Sequence, residues 1–163
     1  MALMVWIPGF GKYSPRMGNR VGDKAPDFTL QDQEGRSVRL ADELGQRPVV
    51  LAFYPMAGSP VCTRQMCSLR DGWPELMSSA KVFGVSYDSV KNLQRFKEQE
   101  HLPFPLLSDP DKVVAKLYGV DGTFAAARVT FVIGVDGQIQ AVIDSVKAAD
   151  HAKQVLAALR AGE

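Results

Sequence analysis

From Pro26 onward, apolar and polar positions alternate in short, regular runs. Asp27–Leu30 and Ser37–Leu40 alternate on either side of Glu34-Gly35, which predicts a hairpin. Pro48–Tyr54 (PVVLAFY) is nearly continuous and β-rich, the pattern of a central strand buried on both faces. It stops at Pro55. Ser59-Pro60 then offers an N-cap hydroxyl and a proline at the first helical position, so a helix is expected from about Pro60. Lys81–Ser86 (KVFGVS) predicts the next strand. Ser89–Gln99 puts Val90, Leu93 and Phe96 on one helical face. Asp109-Pro110 caps a short helix with Val113, Val114, Leu117 and Tyr118 as its apolar face and Gly119 as its stop. Arg128–Val135 and Gln138–Ile143 flank Asp136-Gly137, a dipeptide favoured in two-residue hairpin turns. Asp150 caps a last helix carrying Ala152, Val155, Leu156 and Leu159 at i, i+3, i+4 and i+7.

Strands joined through a helix imply a parallel βαβ unit with a right-handed crossover, and the late hairpin adds antiparallel strands to the same sheet. The simplest solution is an α/β sandwich of thioredoxin-like type, a central mixed sheet flanked by helices with an N-terminal hairpin added. Residues 1–23 follow neither period and carry Gly9, Gly11, Pro15, Gly18 and Gly22. They read as an N-terminal extension that drapes over the domain or is partly mobile, leaving 24–163 as the domain. No repeat or low-complexity segment interrupts it.

Composition narrows the function. The 163 residues hold 19 Lys+Arg against 18 Asp+Glu, a formal charge of +1, so neither a basic stripe for nucleic acid nor an acidic tail is present. The apolar run Met1–Ile7 has no preceding cation and is far shorter than the roughly 20 residues of a bilayer span. A cytoplasmic protein with no membrane partner is the expectation. The 2 cysteines are too few for a disulfide scaffold, and in a reducing compartment such a pair serves metal binding or chemistry. His101 and His151 make no ligand spacing with them and read as surface or capping residues.

The chemistry concentrates in Pro55–Cys67 (PMAGSPVCTRQMC). Cys62 falls in the first turn of a helix that follows a buried strand, where unpaired N–H groups and the positive end of the helix dipole favour an anion. The thiolate is the nucleophilic form of cysteine, so this is a fitting place for a reactive one. The Ser59 hydroxyl, one turn back, can hydrogen-bond that sulfur or an oxygen beside it. Pro55 and Pro60 fix the loop and remove N–H donors.

Pro-x-x-x-Ser-x-x-Cys after an apolar strand resembles the active-site signature of peroxiredoxins, and a second cysteine five residues on resembles their Q, or bacterioferritin comigratory protein, subgroup. The resemblance extends over Ala25–Leu30, Phe53–Pro55, Leu69–Asp71, Gly84–Ser86, Leu102–Asp109, Tyr118–Val120 and Arg128–Ile133. It implies a thiol-dependent peroxidase acting on hydrogen peroxide and organic hydroperoxides, with Cys62 peroxidatic and Cys67 resolving through an intrachain disulfide. Pro55 would shield the thiolate, Ser59 would replace the commoner threonine, and Arg128 would be the guanidinium beside the sulfur. A thioredoxin-like dithiol would be the reductant, and no metal or organic cofactor is implied. Val61 and Ala57-Gly58 depart from the usual residues, which points to an altered pocket rim. Tyr54 and Phe124 are weaker candidates for lining that pocket.

The competing readings are a thiol-disulfide oxidoreductase or redox sensor using the same pair, and a binding module with inert cysteines. The Cys-x4-Cys spacing argues against the ordinary oxidoreductase, which uses Cys-x-x-Cys. Positions five apart on an unbroken helix are rotated by about 140° and separated by roughly 8 to 9 Å between Cα atoms. A disulfide tolerates about 7 Å. Oxidation is therefore expected to unwind the start of the helix. A resolving cysteine on the same helix needs no second subunit, so a monomer is expected.

Overall fold

The computed structural model describes residues 11–162. Its centre is a seven-stranded mixed sheet in the order β2-β1-β5-β4-β3-β6-β7. The strands are β1 (Thr29–Asp32), β2 (Ser37–Arg39), β3 (Val49–Phe53), β4 (Lys81–Ser86), β5 (Leu106–Ser108), β6 (Val129–Ile133) and β7 (Ile139–Ile143). The helices are α1 (Leu40–Glu43), α2 (Pro60–Asp71), α3 (Trp73–Ser79), α4 (Val90–Glu100), α5 (Val113–Leu117) and α6 (His151–Ala161), the last preceded by a 3-10 turn at Ala148–Asp150. Pairs β3–β4 and β4–β5 are parallel, whereas β1–β2, β1–β5, β3–β6 and β6–β7 are antiparallel. The expected thioredoxin-like sandwich with an added hairpin is the fold observed.

Strand β3 is buried at every position, and its alternation feeds two cores. Val49, Leu51 and Phe53 join Tyr118 and Phe131 on one face. Val50, Ala52 and Tyr54 join Cys62, Met66 and Leu69 of α2, with Val155 and Leu159 of α6, on the other. Strand β6 divides the same way, with Val129, Phe131 and Ile133 on the first face and Val132 on the second. Period-2 alternation therefore gives Thr130 and its neighbour-but-one Arg128 to the α2 face.

Several expectations are corrected. The first hairpin strand runs over Thr29–Asp32, two residues later than its apolar pattern suggested. Strand β5 and helices α1 and α3 were not anticipated. Val113 and Leu117 of α5 are 57% and 42% exposed, so they do not form its apolar face. The α5 start is set by Lys112 in the left-handed region, while the Asp109 carboxylate accepts from the N–H groups of Val114 and Ala115. Asp150 makes no side-chain cap. His151, expected at the surface, is fully buried: the ring meets Thr130 Oγ1 at 2.8 Å and Gln154 Oε1 at 3.0 Å. Those two partners replace the water that a buried imidazole gives up.

Residues 11–23 lie along the Tyr118–Phe131 face. Tyr13 packs edge-on against Phe131, and the buried Asn19 accepts from Arg16 N–H and donates to the Ser14 carbonyl. Backbone bonds from Gly11, Ser14 and Gly22 reach Ala125, Gly119 and Ile139. The run Met1–Ile7 and the Gly9-Phe10 pair lie outside the described residues. Among the described residues, no helix is long and apolar enough to cross a membrane.

Candidate active site

Helix α2 starts just beyond the C-terminal end of β3, an interior strand of the sheet. Tyr54 is fully buried beneath it, Pro55 is buried, and the chain turns at Gly58, whose φ of 83° suits glycine. The turn is tied to the end of β4: Ala57 N–H donates to Asp88 Oδ2 at 2.8 Å, and the Ser86 hydroxyl donates to the same oxygen at 2.7 Å. Ser59 has the extended backbone of an N-cap, and its carbonyl accepts from Thr63 N–H at 2.8 Å. Its hydroxyl, expected to cap the helix, instead donates to the Met56 carbonyl at 2.9 Å. That bond tightens the turn and leaves the first N–H groups of α2 free of a side-chain partner, as an anion site requires.

Cys62 is the third residue of α2 and is fully buried. Arg128 Nη1 lies 3.3 Å from its sulfur. The guanidinium comes from the residue just before β6, whose Val129 pairs with Phe53 at the end of β3. The same Nη1 donates at 2.6 Å to Gln65 Oε1, one helical turn beyond Cys62 and fully buried. The other end of that amide, Nε2, has no hydrogen-bond partner among the described residues. Gln65 was not anticipated. Its only sequence signal is the i+3 spacing from Cys62, which places both on one face of the helix.

Tyr54 packs in the same cluster as Cys62. Burial pushes its ionisation well above the ordinary phenol range, and the neighbouring Ser86 hydroxyl only partly opposes that shift. Its phenol stays neutral near neutrality and walls the cluster around Cys62. Phe124 is 76% exposed and is not among the residues packed on the Cys62 cluster. Behind Arg128, the imidazole of His151 is held well below its ordinary value, to about 4, by burial. The Gln154 hydrogen bond opposes that shift, and the Arg128 charge adds to it. A neutral ring there leaves Arg128 as the cation facing the sulfur.

Cys67 sits on the same unbroken helix, half-buried, and both thiols are free. It points away from Cys62, toward Glu100 at the end of α4, with Sγ 3.5 Å from Oε2. Burial pushes its thiol up, and the Glu100 hydrogen bond pushes the same way. The structure thus brings Arg128 and Tyr54 to Cys62, keeps Ser59 and Pro55 in the turn that leads into α2, and sets Cys67 and Phe124 apart. A fully buried sulfur at a helix N-terminus, within reach of a guanidinium, is suited to react as an anion with an electrophilic oxygen.

Comparison with known proteins gives the same chemistry. Residues 21–142 match the model of the AhpC/TSA family. The chain is 43% identical over 146 residues to peroxiredoxin Bcp of Escherichia coli K12, covering 84% of this chain and 93% of that protein. Among solved structures, peroxidoxin BcpB of Mycobacterium tuberculosis superposes with a TM-score of 0.82 at 38% identity, covering 90% of this chain and 98% of that one. The bacterioferritin comigratory protein of Xanthomonas campestris, which has alkyl peroxide reduction activity, gives 0.78 at 31% identity, covering 83% and 92%. A thiol set at the start of α2 beneath a guanidinium is thus accompanied by relatedness over most of the chain, and the protein belongs to the AhpC/TSA family as a thiol-dependent peroxidase of the peroxiredoxin type.

Proposed function

We propose that Cys62 is the peroxidatic cysteine of a two-cysteine cycle run within one chain, and that Cys67 resolves it. The Cys62 thiolate attacks one oxygen of a hydroperoxide, an S–O bond forms, and the O–O bond breaks. The departing oxygen takes a proton and leaves as water or alcohol, and the sulfur becomes a sulfenic acid. Arg128 and the Cys62 backbone N–H stabilise the charge that moves onto oxygen. The Ser59 hydroxyl joins them by turning about χ1 from the Met56 carbonyl, and Pro55 shields the sulfur from water. Cys67 then attacks the Cys62 sulfur, the S–O bond breaks, water leaves, and the disulfide forms. A thioredoxin-like dithiol returns both thiols by exchange.

The observation that carries this reading is the 3.3 Å approach of Arg128 Nη1 to the Cys62 sulfur. Hydrogen peroxide and organic hydroperoxides are the substrates, the working form is a monomer in the cytoplasm, and residues 24–163 form the catalytic domain behind the 1–23 extension. Stopped-flow peroxide consumption with Cys62→Ser and Cys67→Ser tests it. The first variant is expected to lose peroxide reduction altogether. The second is expected to consume one equivalent and then stall with thioredoxin as reductant. A Cys62→Ser variant as fast as the parent defeats the peroxidatic assignment, and full turnover of Cys67→Ser with thioredoxin defeats the resolving one.

A further inference from the structure

Cys67 has a partner that the reaction cycle does not use. Its sulfur lies 3.5 Å from Glu100 Oε2, at the last residue of α4. One turn further along α2, on the same face, Arg70 Nη1 donates at 2.7 Å to the backbone carbonyl of Glu100. The end of α4 is thereby fastened to α2 at two points, one of which is the thiol itself. An ionised carboxylate only accepts hydrogen bonds, so the contact to Cys67 exists while the sulfur carries its proton.

Resting on the reading of Cys67 as the resolving thiol, we propose that Glu100 is a positioning residue that keeps the Cys67 sulfur in its thiol form and docked on α4 for as long as α2 is intact. Loss of the proton would set two anions side by side and remove the hydrogen bond together. Burial is the largest influence against the thiolate and the Glu100 hydrogen bond the next; the Arg70 charge opposes them, and the weaker charges of Glu100 and Asp71 side with burial. The contact cannot serve the bond-forming step, because the intact helix holds the two sulfurs apart and Cys67 has to leave Glu100 to reach Cys62. Opening of α2 then does two things at once: it carries Cys67 toward the sulfenic acid and releases it from the carboxylate that held its proton. The thiol is quiet before Cys62 has been oxidised and nucleophilic afterwards.

The test uses Cys62→Ser, in which Cys67 is the sole thiol, with and without Glu100→Gln. Titration followed by ultraviolet thiolate absorbance is expected to move to lower pH in the double variant. Alkylation by iodoacetamide near neutral pH is expected to be about threefold faster, the effect of removing one partly exposed charge. Glu100→Asp, which keeps the charge, is expected to fall nearer the parent than Glu100→Gln, a ranking that mere loosening of the α2–α4 contact would not give. A titration unchanged by Glu100→Gln in a protein with parental circular dichroism overturns the proposal. Turnover by Cys67→Ser distinguishes the two failures. If that variant turns over fully, the resolving assignment fails whatever the titration shows; if it stalls and the titration is unmoved, Glu100 alone is wrongly placed.

Discussion

Arg128 carries two hydrogens on the one nitrogen that matters, and it spends both inside the site. One points at the Cys62 sulfur and the other at the Gln65 carbonyl oxygen. The amide is neutral, so it steers the guanidinium without cancelling its charge. Arg128→Ala removes both the cation and a donor aimed at the reacting sulfur, and a loss of about 100-fold in the rate of peroxide reduction is expected. Gln65→Ala leaves the cation but frees its rotamers, and about a tenfold loss is expected. Pre-steady-state peroxide kinetics separate the two, and equal losses would show that Gln65 does more than aim Arg128. In the sequence, Cys62, Ser59 and Pro55 are marked by a motif with a chemical reason and Arg128 by the family resemblance alone; the contact found between Arg128 and the Cys62 sulfur accords with that reading. Gln65, Asp88, Glu100 and His151 were not legible, because each acts through a partner 21 to 63 positions away, or one turn along a helix whose inner face the motif does not mark.

Helix α2 is the element that the proposed chemistry strains most, since its two cysteines lie five residues apart on one rod. The disulfide and the intact helix exclude each other on distance. Amide exchange from Cys62 to Leu69 is therefore expected to be slow in the reduced protein and faster by orders of magnitude after one equivalent of peroxide. Unchanged protection in a protein proven by mass spectrometry to hold the Cys62–Cys67 bond would show that the helix accommodates it. Elements with strong patterns were readable: β3, β4 and the β6–β7 hairpin follow their apolar runs to within a residue or two. The failures have local causes. Strand β5 is three residues long and hemmed by Pro103 and Pro105, so it shows too little alternation to stand out. Helix α3 follows Gly72 and carries Pro74 in its first turn, and those two residues read as a break although a proline there starts a helix.

Across the whole molecule, stability and activity share one core, because the cluster that buries Cys62 also holds the inner faces of α4 and α6. His151, on the rim of that core against Thr130, adds a pH dependence with a definite sign. Its folded value of about 4 lies below the ordinary 6.5, so the unfolded chain takes up a proton first as pH falls. The stabilisation is complete above about 6.5 and is lost as pH drops toward about 4, a difference on the order of 3 kcal/mol. Urea unfolding across that window is expected to show the loss, and His151→Gln is expected to flatten it; a parental slope in the variant would move the effect to other groups. The pairing of β3 with β6 has a consequence of another kind. Phe53 faces Val129 across the ladder, and that register brings Arg128 to the α2 face, where it reaches Cys62, 66 positions earlier in the chain. A slip of one place would turn the guanidinium to the opposite face. The ladder therefore works as a gauge: interior residues far from the thiol set the spacing between the guanidinium and the sulfur, and, if the proposed cycle holds, errors of assembly there would appear first as lost reactivity.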